Sequence, residues 1–329
     1  MSPSANLGAS SGAGGSASPQ RELRRGIYVP TVAFFDAQTD ELDVKTTARH
    51  VLRLAGAGVA GLAVQGSNGE AVHLTTEERS LVTRMTRSTL DGAGFSEMPL
   101  LVGCGAQSTV EAVALCRRAA ADGGDYALVL PPSYYSGLFT DSTVVDFFTA
   151  VADASPIPII VYNYPGATPG VDIDSDALIA LSAHANVAGC KFTCGNTGKL
   201  GRVAASVRAT GRQFLCFAGS ADFTVSSMAH GAAGVIGGLG NIAPRSNVRL
   251  FELAEAGKAD EAKRLQEAVA SGDWVAIQTG VLGVKVALQE FYGYGGWARK
   301  PLPRPDAAQR AKIVDGLKDL VAVERGFES

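Results

Sequence analysis

The chain of 329 residues is short of charge, short of histidine and free of long apolar runs. Charged residues make up 19% and the formal net charge is −3, so no basic stripe is available for phosphates and no polybasic segment for a membrane surface. Nucleic-acid and membrane partners are therefore not expected. No stretch approaches the ~20 consecutive apolar residues that span a bilayer. The cysteines, Cys104, Cys116, Cys190, Cys194 and Cys216, form no CxxC pair, and most fall in apolar runs such as LLVGCGA and FLCFAGS. That is the setting of buried reduced thiols rather than of a disulfide framework. None of the four histidines is spaced with another His or Cys as zinc ligands are, so no metal site is expected. Nothing like GxGxxG follows the first apolar run, which argues against an open dinucleotide-binding sheet.

What is present begins with an uncharged Ser/Gly/Ala/Pro segment over residues 1–20. It has too little apolar surface to offset chain entropy, so residues 1–22 read as a disordered low-complexity tail. Cytoplasm is the expected compartment. A mitochondrial presequence is the alternative raised by Arg21, Arg24 and Arg25.

From residue 26 onward eight short runs, unbroken in apolar character, alternate with segments of helical period: 27–34, 59–65, 100–104, 125–130, 157–163, 186–192, 214–219 and 233–238. Unbroken apolarity is the mark of strands buried on both faces. Thr75 and Glu78 have the spacing of a capping box ahead of ERSLVTRMTRSTL. Eight strands each followed by a helix predict a (β/α)8 barrel over residues 23–243, with a helical C-terminal extension over 244–329 packed beside it.

Such a barrel carries its chemistry at the C-terminal ends of the strands. The polar residues there are Ser67 and Asn68 after the second strand, Tyr134 and Tyr135 after the fourth, Tyr162 on the fifth and Lys191 on the sixth. Lys191 ends the apolar run VAGCKF, where desolvation favours the neutral amine that can attack a carbonyl. The plainer alternative is a snorkelling lysine with its ammonium in water. Lys285, in VLGVKVALQEF, has helical period and is expected to lay its stem on the barrel. The segment GSNGE (66–70) can converge backbone N–H groups on a carboxylate, although Gly-Ser-Asn-Gly is also an ordinary turn. Tyr162, ahead of Pro165 and Gly166, is placed to relay a proton, or to be a rim aromatic with its hydroxyl in water. The Tyr134–Tyr135 pair could equally serve loop packing or a subunit contact. The four histidines are given no role.

In this order and on these strands, GSNGE, PPSYY, YNYP and GCK resemble the dihydrodipicolinate synthase and N-acetylneuraminate lyase superfamily, over roughly residues 26 to 320. The resemblance implies a class I, pyruvate-dependent aldolase that needs no metal or organic cofactor and assembles as a homotetramer, a dimer of dimers. It implies Lys191 as the Schiff-base lysine and Tyr162 as the proton-relaying tyrosine. Ser67 and Asn68 would hold the pyruvate-like carboxylate, with the Ser67 hydroxyl in the relay, and Tyr134 would reach a neighbouring active site across a dimer interface. Thr193 and Gly219 match pocket-lining positions.

One departure bears on substrate. Dihydrodipicolinate synthases carry an arginine shortly after the YNxP segment, where YNYPGATPG has Ala167. The longer runs YNYPGATPGVDIDSD and GCKFTCGNTGKL are similar to the 4-hydroxy-2-oxoglutarate aldolases and, more closely, to the fungal 2-keto-3-deoxy-L-galactonate (L-threo-3-deoxy-hexulosonate) aldolases. The expected activity is cleavage of a 2-oxo-4-hydroxy acid to pyruvate and an aldehyde. 4-Hydroxy-2-oxoglutarate aldolase and dihydrodipicolinate synthase are the enzymatic alternatives. A 2-oxo-acid-binding regulator is the alternative from outside enzymology.

Overall fold

The computed structural model describes residues 21–327, and each of the eight apolar runs contains a strand. They are β1 (Gly26–Pro30), β2 (Gly61–Val64), β3 (Leu100–Gly103), β4 (Tyr126–Val129), β5 (Ile159–Asn163), β6 (Val187–Phe192), β7 (Leu215–Ala218) and β8 (Gly234–Ile236). Nearly every strand residue is buried, as unbroken apolarity requires. All pairings are parallel and sequential, and β8 returns to β1 through Gly26↔Gly234, Ile27↔Val235 and Tyr28↔Ile236, closing a barrel. The closing seam depends on glycine, because a Cβ on Gly234 would stand 1.9 Å from the Gly26 carbonyl oxygen.

Helices fill the outer ring: α1 (Val44–Ala55), α2 (Thr76–Gly92), α3 (Thr109–Ala121), α4 (Asp141–Ala154), α5 (Ser175–Leu181), α6 (Thr197–Thr210), α7 (Thr224–Ala229) and α8 (Pro244–Glu255). The capping box forms at α2 as its spacing predicts, with Glu78 N–H donating to Thr75 Oγ1 at 3.2 Å and Thr75 N–H to Glu78 Oε2 at 2.8 Å. Pro244 opens α8, which packs on β1 and α7 and so serves as the eighth barrel helix, on the far side of the boundary expected at 243. What the chain adds beyond the eightfold repeat is α9 (Ala259–Tyr292) and α10 (Ala307–Arg325), which pack on each other and on α8. Near its middle α9 is broken at Gly280, whose φ of 57° and ψ of −147° lie outside helical space.

Three apolar clusters result. The largest joins the barrel's outer face to its helices, a second joins α8, α9 and α10, and a third fills the barrel with side chains that include Tyr28, Leu101, Ile160 and Phe217. The N-terminal end of the barrel is covered by the segment just ahead of β1. Leu23 N–H donates to the Tyr126 hydroxyl at 2.9 Å, and the Tyr28 hydroxyl donates to the Arg24 carbonyl at 2.9 Å. Arg21 corrects the tail boundary expected after residue 22. Its guanidinium is ion-paired with Asp125 at 3.0 Å and Asp91 at 3.7 Å, so Arg21 belongs to the fold. Residues 1–20, the rest of the expected tail, lie outside the described residues.

Candidate active site

The parallel register of β5 and β6 sets Tyr162 directly beside Lys191, so both side chains leave the same face of the sheet, into the barrel. Lys191 Nζ stands 4.0 Å from the centre of the Tyr162 ring. Both residues are buried, at 3% and 4% exposure. Among the described residues no carboxylate lies within ion-pair distance of Lys191. Tyr164 stacks on Tyr162 with ring centres 5.7 Å apart, and burial raises the Tyr164 phenol above its ordinary pKa. The loop after β5 is pinned by Asn163, which donates to Asp172 at 2.8 Å and accepts from Ile173 N–H at 3.0 Å, while Lys199 clamps Asp172 at 2.5 Å.

Six of the seven expected site residues border one cleft of about 540 Å³ at this end of the barrel: Ser67, Asn68, Tyr162, Lys191, Thr193 and Gly219. Gly219 has to be glycine, since a Cβ there would stand 2.0 Å from Thr193 Oγ1. Asn68 crosses to β8, where its amide lies close to the Gly238 backbone. Ser67 and Tyr162 also border an adjoining cleft of about 410 Å³ that contains Ala167. Arg79 borders that second cleft, but its guanidinium is committed to Gln65 Oε1 at 3.2 Å and the Gly103 carbonyl at 2.6 Å. Among the described residues no other arginine borders the cleft that contains Ala167.

Tyr134 is the exception. It is 79% exposed on the loop after β4, stacked edge-on against Tyr135, and borders neither cleft. Its backbone N–H donates to Gln107 Oε1 at 3.0 Å, which fixes the loop.

Sequence reasoning missed the far wall. Ser220, Asp222 and Phe223 after β7, and Asp273, Trp274 and Ile277 from α9, close the cleft opposite Ser67. Asp273 Oδ2 accepts the Ser220 hydroxyl at 2.8 Å, Ala221 N–H at 2.6 Å and Asp222 N–H at 3.0 Å. Burial raises Asp273 to about 6, although the hydrogen bond from Ser220 opposes the shift. A signal existed: Asp273 interrupts the buried face formed by Val269 and Ala276, where a carboxylate needs a partner. Thr193 Oγ1 and Asp222 Oδ1 are buried and have no hydrogen-bond partner. Lys191 is the single lysine or arginine lining this cleft.

Lys285 is buried against the barrel, over the Phe35 ring, and its ammonium is buried as well, donating to Glu70 Oε1 at 2.6 Å and to the Trp297 carbonyl at 2.9 Å. Burial lowers its pKa and Glu70 opposes the shift. All five cysteines are free thiols, and no helix among the described residues is long and apolar enough to cross a membrane. The described residues hold no cluster of His, Cys, Asp and Glu suited to a metal ion.

Comparison with known proteins places this geometry. The protein named "Probable 4-hydroxy-2-oxoglutarate aldolase, mitochondrial" of Emericella nidulans is 51% identical over 94% of this chain and 99% of its own length. The L-threo-3-deoxy-hexylosonate aldolase of Aspergillus niger is 43% identical over 94% of this chain and 98% of its own. Among solved structures, a dihydrodipicolinate synthase family protein from Coccidioides immitis superposes with a TM-score of 0.82, at 31% identity over 94% of this chain and 99% of that one. The family model described as the dihydrodipicolinate synthetase family matches residues 23–320, which takes in every strand and the whole cleft. A closed barrel with a buried, unpaired lysine on β6 beside a tyrosine on β5, matched over that length, makes this chain a member of the dihydrodipicolinate synthetase family.

Proposed function

We propose that the protein is a class I aldolase that cleaves a 2-oxo-4-hydroxy acid to pyruvate and an aldehyde through a Schiff base on Lys191. The observation that carries the reading is Lys191 itself, a buried amine with no carboxylate within ion-pair distance among the described residues, standing over Tyr162 and lining an open cleft. In its neutral form Nζ attacks C2 of the substrate, and loss of water leaves a protonated imine. Tyr162 takes the proton of the C4 hydroxyl, the C3–C4 electron pair moves into the imine, and the aldehyde departs. The enamine takes a proton at C3, and water releases pyruvate and frees Lys191. The imine nitrogen is the electron sink, so the sequence of steps calls for no cofactor. Ser67 and Asn68 hold the carboxylate of the pyruvate half. Tyr134, from a neighbouring copy, completes the proton relay with Ser67.

A 3-deoxy-2-oxo sugar acid such as L-threo-3-deoxy-hexulosonate suits the far wall best. Asp222 and Thr193 offer unpartnered polar atoms to hydroxyl groups, and Trp274 and Phe223 offer apolar surface to the carbon chain. The second reading, 4-hydroxy-2-oxoglutarate, is favoured by the name of the Emericella relative. It would bring a second carboxylate towards Asp222 with no arginine or lysine there to receive it. Dihydrodipicolinate synthesis meets the same obstacle at Ala167.

A homotetramer fits the exposed apolar residues Val72, Tyr134, Tyr135 and Leu138, which a second copy would cover. Cytoplasm is the compartment we favour. Arg21, Arg24 and Arg25, the basic residues of the alternative presequence, are engaged by Asp125, by Glu97 and by Glu255. Cell fractionation decides between this and the mitochondrial assignment carried by the relative's name.

The deciding experiment incubates the protein with pyruvate and borohydride and locates the adduct by peptide mass spectrometry. An adduct on Lys191 supports the reading. Reversible pyruvate binding without trapping makes the protein a 2-oxo-acid-binding regulator instead. Cleavage assays on the sugar acid and on 4-hydroxy-2-oxoglutarate then separate the two substrates.

A further inference from the structure

Helix α9 lies outside the eightfold repeat, yet it sends two buried charged side chains to the catalytic end of the barrel. Lys285 meets Glu70, the last residue of the GSNGE turn. The Glu70 carboxylate is otherwise filled by Arg299 N–H at 2.9 Å and His73 Nδ1 at 3.0 Å. Glu70 also holds a left-handed backbone conformation, with φ of 51°, which a side chain tolerates only when its surroundings hold it there. Three residues earlier the same turn presents Ser67 to the cleft, and the Glu70 N–H donates to the Ser67 carbonyl at 3.3 Å. Twelve positions before Lys285, Asp273 gathers the Ser220 hydroxyl and two successive N–H groups, and so shapes the 220–222 turn on the opposite wall. Between the two, Gly280 breaks the helix and itself borders the cleft.

We infer that α9 is a positioning strut for catalysis: Lys285 fixes the turn that holds the pyruvate carboxylate, and Asp273 independently fixes the turn that receives the aldehyde half. The inference rests on the aldolase reading above. Neither residue is catalytic, since neither is placed at the reacting atoms. The physical case is that each carboxylate is almost wholly buried, at 2% exposure for both Glu70 and Asp273. A buried charge binds its partners in one geometry and transmits any displacement of α9 to the loop it holds.

Two assays separate the arms. Half-saturation of borohydride trapping by pyruvate reads the pyruvate side alone, and steady-state cleavage of the 3-deoxy-2-oxo sugar acid reads both sides. Lys285→Met is expected to raise the half-saturating pyruvate concentration at least tenfold. Lys285→Met combined with Glu70→Gln should regain melting temperature while pyruvate binding stays weak, and Lys285→Arg should recover binding in part. A double variant that regains both stability and pyruvate binding overturns the Lys285 arm, because the pair would then be structural only. Asp273→Ala is expected to raise KM for the sugar acid about tenfold with trapping unchanged. Asp273→Asn should recover most of it, since its amide oxygen can accept the same three donors. Should Asp273→Ala not fold, Ser220→Ala removes one of those donors and should give a smaller shift in the same direction. An unchanged KM, or an equal shift in trapping, overturns the Asp273 arm. A trapped adduct with unaltered constants in every variant refutes the strut alone, whereas failure to trap pyruvate in the unsubstituted chain refutes the Schiff-base reading beneath it.

Discussion

Lys191 and Lys285 are buried to nearly the same degree, at 3% and 1% exposure, and each has its Nζ over an aromatic ring, Tyr162 at 4.0 Å and Phe35 at 4.6 Å. One is held in an ion pair and the other, among the described residues, is not. Lys285 donates to a carboxylate at 2.6 Å and to a carbonyl at 2.9 Å, which hold its amine in place, while burial lowers its pKa and Glu70 opposes the shift. Among the described residues Lys191 meets neither, and it borders an open cleft. Burial alone therefore does not make a nucleophile. In the aldolase reading proposed above, the absence of a counter-charge together with access to solvent-borne substrate is what sets Lys191 apart.

The sharpest way to break this comparison is to remove each lysine in turn. Lys191→Ala should abolish the pyruvate adduct and lower cleavage by at least about a thousandfold, the scale of losing a covalent nucleophile. Lys285→Met, saturated with pyruvate, should still carry the adduct on Lys191. An adduct that disappears with Lys285 and survives the loss of Lys191 reverses the assignment.

Stability should show the opposite ranking. Lys285→Met leaves the Glu70 carboxylate buried without its cation, at a cost of about 3–5 kcal/mol by denaturant unfolding. Adding Glu70→Gln should return most of that loss, because a neutralised pair no longer strands a charge. Equal losses in the single and double variants would mean that packing, not charge, holds this site.

His50 extends the comparison to a third buried base. It lies between the Tyr294 hydroxyl and Asn241 Oδ1, each at 2.9 Å, with no carboxylate in contact. Burial pushes its pKa down to about 3, with Arg53 adding to the shift and the Asn241 bond opposing it. The unfolded chain takes up this proton near pH 6.5 and the folded chain does not. Stability from neutral His50 is thus complete above about 6.5 and drains away as pH falls towards about 3, at up to about 1.4 kcal/mol per pH unit. Unfolding free energies measured between pH 7 and 4.5 should show a slope about one proton smaller in His50→Gln. An unaltered slope would assign the acid sensitivity to other groups.

The smallest effect is expected at the break in α9. Gly280 has φ of 57° and ψ of −147°, a region closed to residues with a Cβ, so Gly280→Ala should cost about 1–3 kcal/mol although open space surrounds the position. Because Gly280 lies between Asp273 and Lys285, KM for the aldol substrate should rise with it. A change in stability without a change in KM would separate the break from the site.

Much of the site was legible beforehand for a geometric reason. In a parallel barrel all strand C-termini emerge at one end, so polar residues that follow separate apolar runs must converge there. Ser67, Asn68, Tyr162 and Lys191 do so, while Thr193 and Gly219, which border the same cleft, are indicated by the family resemblance alone. Of the missed residues, Asp222 follows β7 and lay within reach of the same rule, whereas Asp273 and Trp274 come from a helix outside the repeat, where no strand-end rule applies. Arg21 was misread for a related reason, since its partners Asp91 and Asp125 lie far along the chain.

The sequence by itself determined the eight strands, the alternation that closes them into a barrel and the rim on which the reacting groups stand. These follow from periodicity and from where apolar runs stop, which are local properties. Only the tertiary structure decided which buried lysine is neutralised and which is left open. The partner of Lys285 lies 215 residues away, and whether a buried lysine is ion-paired or left open is decided by what packing brings alongside.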